Sequence, residues 1–251
     1  AVAVGPVHAG TIEPGRFHVS VVSTHVIRLA ARLGYTHKGV AKRFEALAQR
    51  DGHRLAARLC GDSTVAFSWA YCAALESVTD TTPSPRAAAL RALALERERI
   101  ANHLGDLGGI GNDAGFAFGL TQFSSLKEQL LRRNAQVFGQ RYLFDVVVPG
   151  GVTCDLPAGV MPALLGEIAS LERAVRELRA IYANHEVLQD RFLGAGRLTC
   201  DQARALGAIG LAARASGIAQ DLRFNLPSPP YDQLAPMLAT RPGGDVAARV
   251  H

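Results

Sequence analysis

The stretch RAAALRALALERERIANHLGDLGG, residues 86–109, carries a long apolar stripe with helical spacing. Its large apolar residues recur with the 3.6-residue period of one helix face. They are Leu90, Leu93, Ile100, Leu104 and Leu107. Arg97 interrupts the stripe, and the Gly-rich GDLGGIGND that ends at Asp113 predicts a break before the next helix. The chain is therefore predicted to be mainly α.

Other stretches extend the helical prediction on both sides. Ser125 and Glu128 form a capping box that opens a helix ending at Gly139. After Pro162, apolar residues alternate by four and three, the spacing of a packed helical seam. They are Leu164, Ile168, Leu171, Val175, Leu178 and Tyr182. The apolar stretch 63–75 is well short of the roughly 20 residues that span a bilayer, so it predicts a buried core helix.

The C-terminal part combines helix signals with one irregular stretch. Thr199 and Gln202 form a capping box, and the helix they open is predicted to run to about Ser216 and Gly217. The following NLPSPPYDQLAP is too rich in proline for regular structure. Asp245 is the expected N-cap of a last helical turn.

The N-terminal part differs in character. FHVSVVSTHVIRL is dense in β-branched residues and follows several Gly and Pro, which predicts one or two short strands, a hairpin. The helical pattern begins near Ala41. We therefore predict an N-terminal β hairpin region over 1–30 and a helical domain over 31–251. The chain begins without Met and ends soon after Asp245, so we expect a fragment of a longer polypeptide.

Charge and cysteine content narrow the function classes. Residues 1–61 hold nine Lys or Arg against three Asp or Glu, while the whole chain has a net charge of +5. This basic portion lacks interleaved aromatics and groove-reading motifs, so no nucleic acid is expected as a partner. It is then either a solvated face or a docking surface for a partner subunit. The four cysteines form no CxxC pair, which indicates neither a disulfide framework nor a zinc site.

Several polar residues are candidates for chemistry. His8 lies in GPVHAG on a tight turn, where a ring with a pKa near 6.5 suits proton transfer, although a loop histidine is often structural. Asp113 is either a turn residue or a carboxylate that orients a histidine. Glu96, Arg99 and His103 share one helix face and predict an ion-pair ladder that stabilises packing.

The segment RLCGDS, residues 58–63, is half of a metal-binding pattern. Ser63 stands where a second sulfur would be needed, and a hydroxyl that stays protonated near neutral pH cannot replace a thiolate. One thiolate does not hold nickel or an iron–sulfur cluster. From the residues alone, Cys60 is predicted to be a buried small apolar side chain.

Taken in order, eight elements of the sequence resemble one superfamily. They are GPVHAGTIEPG, LGYTHKGVAK, RLCGDS, ERERIANHL, VPGGV, LQDRFLGAGRL, RASG and the C-terminal set DLR, PPYDQL and GGDVAARV. They resemble the large subunit of energy-converting (group 4) nickel–iron hydrogenases and the quinone-side, hydrogenase-large-subunit-like subunit of respiratory complex I, NADH:quinone oxidoreductase. The resemblance implies a helical-bundle, hydrogenase-large-subunit-like domain with a small N-terminal β element.

The resemblance implies a degenerate nickel site. In the hydrogenases the segment reads RxCGxC, and a second CxxC lies near the C-terminus. This sequence keeps Arg58, Cys60 and Gly61, has Ser63 in place of the second cysteine, and ends before the second pair. At most one of four sulfurs is expected, so nickel is unlikely.

The same cavity holds quinone in complex I. There, the resemblance places a His at the position of His8, a Tyr at that of Gly61 and an Asp at that of Asp113. His8 and Asp113 are present and are the expected catalytic pair, whereas the Tyr is absent. A quinone-like cavity would then include residues of 58–64. They are Arg58, Cys60, Gly61, Asp62, Ser63 and Thr64, of which Asp62, Ser63 and Thr64 are candidates for the missing donor.

The resemblance also implies partners. We expect an electron-transfer subunit of an NADH dehydrogenase-like or hydrogenase-like oxidoreductase, inactive alone, in an assembly with NAD-binding and quinone-binding functions. No cofactor is expected on this chain; iron–sulfur clusters are expected in a neighbouring small subunit, beside an accessory subunit. The expected location is the cytoplasmic side of the membrane, peripheral to a membrane-embedded module. The alternative is a catalytically inert scaffold subunit of such an assembly.

Overall fold

The computed structural model describes residues 1–7, 14–234 and 236–251. Over these residues the chain is mostly helical with a small N-terminal sheet, which confirms the mainly α fold class. Two compact units are present, 1–48 and 49–251. The domain boundaries 1–30 and 31–251 stay a prediction.

The first unit contains a three-stranded antiparallel sheet and one short helix. Its elements are β1 (Val2–Val4), β2 (Arg16–Val22), β3 (His25–Arg32) and α1 (Val40–Glu45). The predicted hairpin is β2–β3, in which Val22 pairs with His25 across a tight turn. Strand β1 adds a third strand along β2, with Val2 opposite Val19. Every residue of β3 is exposed within this unit.

The second unit is built from helices and one two-stranded ribbon. Its elements are α2 (Gly52–Ala56), α3 (Thr64–Thr79), α4 (Pro85–Asp113), α5 (Ala117–Phe138), β4 (Val147–Val148), β5 (Gly151–Val152), α6 (Met161–Asn184), α7 (Glu186–Phe192), α8 (Cys200–Ala205), α9 (Gly210–Ala215), α10 (Leu222–Asn225) and α11 (Val246–Val250).

Helix α4 runs through the Gly-rich stretch that was predicted to be a break. Gly108 packs closely on Leu120 and Phe123 of α5, and a side chain on Gly111 would meet the hydroxyl of Tyr182. The glycines therefore serve close helix packing rather than a turn. Asp113 is the last residue of α4 instead of a loop residue.

Helix α5 begins eight residues before the predicted capping box. Ser125 and Glu128 lie inside it, and Glu128 instead binds Arg132 and Arg141 at 2.8 and 2.6 Å. Packing of the first turns of α5 against α4 outweighs the local capping signal. The predicted end at Gly139 is confirmed, and this residue adopts φ 75°.

The predicted helix after Thr199 is correct at its start and wrong in length. The capping box of Thr199 and Gln202 is present. Helix α8 ends at Ala205 because Gly207 and Gly210 adopt positive φ values of 64° and 62°, and a separate helix α9 follows. The N-cap role of Asp245 is confirmed. In NLPSPPYDQLAP, residues 225–236, Asn225 is the last residue of α10, and the other described residues are in neither helix nor strand, as predicted.

Two apolar clusters form the core. The larger one joins α4, α5, α6, α7 and α11 and includes Leu104, Phe123, Leu130, Tyr182 and Leu188. The second joins α3, α4, α5 and α6 with the chain around β4 and includes Val65, Cys72, Ala94, Val137 and Val147.

Helix α3 is only half buried, which corrects the predicted core helix. Val65 and Cys72 are inaccessible to solvent, whereas Phe67 and Val78 are 40% and 82% exposed. In the predicted seam of α6, Leu164, Leu178 and Tyr182 are buried, whereas Ile168 is exposed. No helix in the described ranges is long and apolar enough to cross a membrane.

Candidate functional site

The segment 58–64 connects α2 to α3 and is held at its first residue by an ion pair. The guanidinium group of Arg58 donates two hydrogen bonds to Asp145, each 2.8 Å long. It also lies over the ring of Phe144, 5.1 Å from the centroid. Paired hydrogen bonds fix the plane of the guanidinium group as well as its position. Arg58 is therefore a structural anchor of the segment.

The other end of the segment is held by a carboxylate from α4. Glu98 accepts hydrogen bonds from the main-chain N–H groups of Val65 and Ala66, at 2.6 and 3.0 Å. These N–H groups belong to the first turn of α3, which has no partners within its own helix. The hydroxyl of Thr64 lies close to both Glu98 and the main-chain oxygen of Tyr142. Ser63, the N-cap position, makes no side-chain cap.

Between these anchors, α4 holds the exposed part of the segment by one further contact. The side-chain amide of Asn102, one turn beyond Glu98, donates to the main-chain oxygen of Asp62 at 2.8 Å. Cys60, Gly61 and Asp62 are all exposed. The segment is thus an exposed loop on a fixed frame.

Cys60 is exposed, so its prediction as a buried apolar side chain is wrong. Its thiol donates to the Oδ1 atom of Asp62 at 2.7 Å. The buried cysteine is Cys72, in which loss of solvent raises the pKa of the thiol to about 12. Gly61 faces open space, because a Cβ atom added there would meet no described atom within 4 Å.

The carboxyl groups near the loop hold their protons more strongly than usual. Burial raises the pKa of Glu98, against the hydrogen bonds from Val65 and Ala66 that favour its charged form. Loss of solvent also raises the pKa of Asp106, and the charge of Asp62 adds to both effects. The loop therefore lies beside two carboxyl groups whose pKa is raised.

The donor set of this loop does not fit nickel. Cys60 supplies one thiolate, and the Ser63 hydroxyl is a poor ligand for a soft metal. Within 1–7, 14–234 and 236–251, no group of three or more His, Cys, Asp or Glu side chains is placed to hold a metal ion.

The two predicted catalytic residues are placed differently. His8 lies outside the described residues. Asp113 is exposed at the C-terminal end of α4, eleven residues beyond Asn102. At a rise of 1.5 Å per residue, the two positions are about 16 Å apart along the helix. Asp113 thus lies several turns along α4 from Asn102, the residue of this helix that holds the loop.

The predicted ladder on α4 is confirmed for its first pair. Arg99 binds Glu96 at 3.2 Å. Glu96 also accepts a hydrogen bond from Tyr231 at 2.7 Å and pairs with Arg223 at 3.3 Å, so it ties the Pro-rich stretch to α4. His103 lines a neighbouring cavity instead.

Two buried ion pairs escaped the sequence analysis. Arg97, which interrupts the apolar stripe, binds Glu167 at 2.9 Å with only 2% of its side chain exposed. Arg91 binds Glu76 at 2.7 Å and also donates to the main-chain oxygens of Val148 and Gly151. The VPGGV motif is therefore clamped by a buried arginine. A charge inside an apolar helix stripe is the signal that could have predicted the first pair.

The chain is similar to known proteins over almost its whole length. The family model described as "Respiratory-chain NADH dehydrogenase, 49 Kd subunit" matches residues 113–251. Formate hydrogenlyase subunit 5 of Escherichia coli is 31% identical over 99% of the chain and 44% of its own length. The carbon monoxide-induced hydrogenase of Rhodospirillum rubrum is 30% identical over 99% of the chain and 69% of its own length.

Two further matches agree. A subunit of the F(420)H(2) dehydrogenase of Methanosarcina mazei is 28% identical over 99% of the chain and 67% of its own length. The structure of the membrane-bound sulfane sulfur reductase, an archaeal respiratory membrane complex, contains a chain that matches with a TM-score of 0.92 and 23% identity, over 99% of this chain and 67% of that one. The chain thus spans between 44% and 69% of the length of these relatives. It belongs to the family of the 49 Kd subunit of the respiratory-chain NADH dehydrogenase.

Proposed function

We propose that the chain is an electron-transfer subunit of a complex I-like or membrane-bound-hydrogenase-like oxidoreductase, active only in its assembly. The observation that carries the proposal is the exposed loop 60–62, fixed by Arg58, Glu98 and Asn102. The sequence of this loop resembles the segment that supplies nickel or quinone ligands in the family. Fixed polar groups on a rigid frame are what recognition of a small acceptor needs.

The chemistry proposed for the site around this loop is proton delivery to a quinone or similar acceptor. Reduction of a quinone oxygen requires a proton, which His8 would donate while Asp113 fixes the orientation of its ring. Of the candidate second donors, the Thr64 hydroxyl is engaged by Glu98 and Tyr142. The carboxylate of Asp62 accepts a hydrogen bond from the thiol of Cys60. Ser63 is therefore the best remaining donor on this loop.

Electrons would come from a partner subunit. Because the loop holds a single thiolate, we propose that iron–sulfur clusters are bound by a small subunit, with an accessory subunit alongside. This chain would lie in the peripheral part of the complex, on the cytoplasmic side of a membrane-embedded module. The names of the relatives, which include NADH-quinone oxidoreductase subunits and hydrogenases, support an assembly of this kind.

The second candidate is a scaffold subunit without chemistry. The presence of Gly61 and Ser63, where the family pattern has a Tyr and a Cys, favours it. So does the exposure of β3, which carries Arg28 and Arg32 and offers a basic docking face.

Turnover of the assembled complex separates the two candidates. If His8 and Asp113 take part in the reaction, His8→Ala abolishes acceptor-linked electron transfer and Asp113→Asn lowers it. Both variants still assemble. His37→Ala, a loop histidine outside the proposed site, is the matched control. Full turnover of His8→Ala in the intact complex would leave only the scaffold role.

The scaffold role has its own test. Arg28→Glu combined with Arg32→Glu should release partner subunits, which size-exclusion chromatography of the complex detects. Val26→Thr on the same strand is the control for local effects. Unaltered assembly would show that this face is solvated.

A further inference from the structure

A cavity of about 310 Å³ in the second unit is lined by α4, α6, α9, α10, α11 and the chain around 237–241. Its walls carry six guanidinium groups and one carboxyl group, that of Asp106. The arginines are Arg99, Arg179, Arg214, Arg223, Arg241 and Arg249.

Three of these arginines share two carboxylates. Arg99 pairs with Glu96, and Arg223 pairs with both Glu96 and Asp221. Arg214 reaches Asp221 only at 3.6 Å, because Asp221 is bound by Arg223 at 2.7 Å. The side chain of Arg214 is only 14% exposed. Its charge is therefore largely removed from water and incompletely paired.

Within the described ranges, the other three arginines form no ion pair with a carboxylate, although the charge of Arg249 helps to lower the pKa of Asp245. Their hydrogen bonds go to main-chain oxygens, those of His251, Thr240, Gly196 and Gly244. Arg179 and Arg241 are exposed at the mouth of the cavity. Main-chain oxygens satisfy the donors of a guanidinium group but do not neutralise its charge.

The titratable groups in the cavity respond to this positive charge. Burial, together with Arg99 and Arg223, lowers the pKa of Arg214 despite the opposing effect of Asp221. Burial and the charges of Arg179 and Arg241 also lower the pKa of His251. A positive potential disfavours each protonated base and favours an incoming anion.

We propose that this cavity binds a small organic anion that carries a phosphate or carboxylate group. Guanidinium groups bind both kinds of anion through paired, planar hydrogen bonds. The apolar side chains of Leu107, Ile110 and Leu211 complete the wall, so a ligand with a short apolar body fits. The inference does not depend on the proposed electron-transfer role.

Calorimetric titration of the purified full-length polypeptide tests the proposal. The probes are inorganic phosphate and, separately, succinate, each at constant ionic strength in chloride. We expect at least one of them to bind, with a Kd that rises about tenfold or more in the Arg179→Gln/Arg241→Gln double variant. Arg176→Gln removes one positive charge from α6, the helix of Arg179, outside the cavity, and it should leave the Kd within about twofold of the original value.

Two results would overturn the inference. One is the absence of binding for both probes; the other is equal affinity in the double variant and in Arg176→Gln. Because both replaced arginines are exposed, the double variant should keep its Tm in chloride. If that variant unfolds, Arg241→Gln alone decides the question by the same comparison.

Discussion

Arg58 and Asp145, 87 residues apart in sequence, are joined by two hydrogen bonds of 2.8 Å each. The same pair lowers the pKa of Asp145 through the hydrogen bonds that favour its charged form. The arginine of the RxCGxC pattern therefore has a role that does not need a metal. It fixes the first residue of the loop, whatever the loop binds.

Replacing Arg58 should loosen the loop with a modest loss of stability. Because both side chains are partly exposed, Arg58→Ala is expected to lower the free energy of unfolding by about 1 kcal/mol. Hydrogen exchange at residues 59–63 should become faster. Arg86→Ala, which breaks a comparable exposed pair with Asp155, is the control. Unchanged exchange in the loop would show that Arg58 does not anchor it.

Glu98 should matter more than an ordinary helix glutamate. Glu98→Ala leaves the N–H groups of Val65 and Ala66 without their partner in a buried place, which should cost about 2–3 kcal/mol in chemical denaturation. Glu177→Ala, on the exposed face of α6, should change stability by less than about 0.5 kcal/mol. Similar losses in the two variants would contradict the capping role.

Replacing Gly111 of α4 and Gly166 of α6 by alanine should change the stability of the fold in opposite directions. Gly111→Ala places a methyl group against the hydroxyl of Tyr182 and should destabilise by about 1–3 kcal/mol. Gly166→Ala meets no atom within 4 Å and should stabilise by about 0.5–1 kcal/mol. Thermal unfolding measures both. A second change, Tyr182→Phe, should reduce the cost of Gly111→Ala; additive effects would contradict the predicted contact.

Asp221 should contribute to the acid sensitivity of the fold. The hydrogen bonds from Arg223 lower its pKa from 3.8 to about 2 in the folded chain. A depressed folded pKa gives stability that is present above the unfolded value and lost as the pH falls through the folded one. The slope of stability between about pH 4 and pH 2 should therefore be shallower in Asp221→Asn. If the original protein and Asp221→Asn lose stability equally over this pH range, the pair of Asp221 and Arg223 forms equally in the unfolded chain.

Periodicity and caps predicted α4, α6 and the starts at Thr199 and Asp245, because those signals are local. Gly111 misled the sequence analysis because its contact is with Tyr182, which is far away in the chain. The residues that anchor the loop were missed for the same reason. Glu98 and Asp145 meet the loop 58–64 only after folding, and neither has a local pattern that identifies it. The loop itself was found through its resemblance to a known motif.

Metal analysis of the purified complex, with the full-length polypeptide and its partner subunits, tests the central claim most directly. Nickel and iron should be measured together per copy of this chain. A loop with one thiolate at Cys60 and a hydroxyl at Ser63 predicts iron without nickel. Nickel at about one per chain would contradict the account, because the loop would then hold a metal that its donors do not fit.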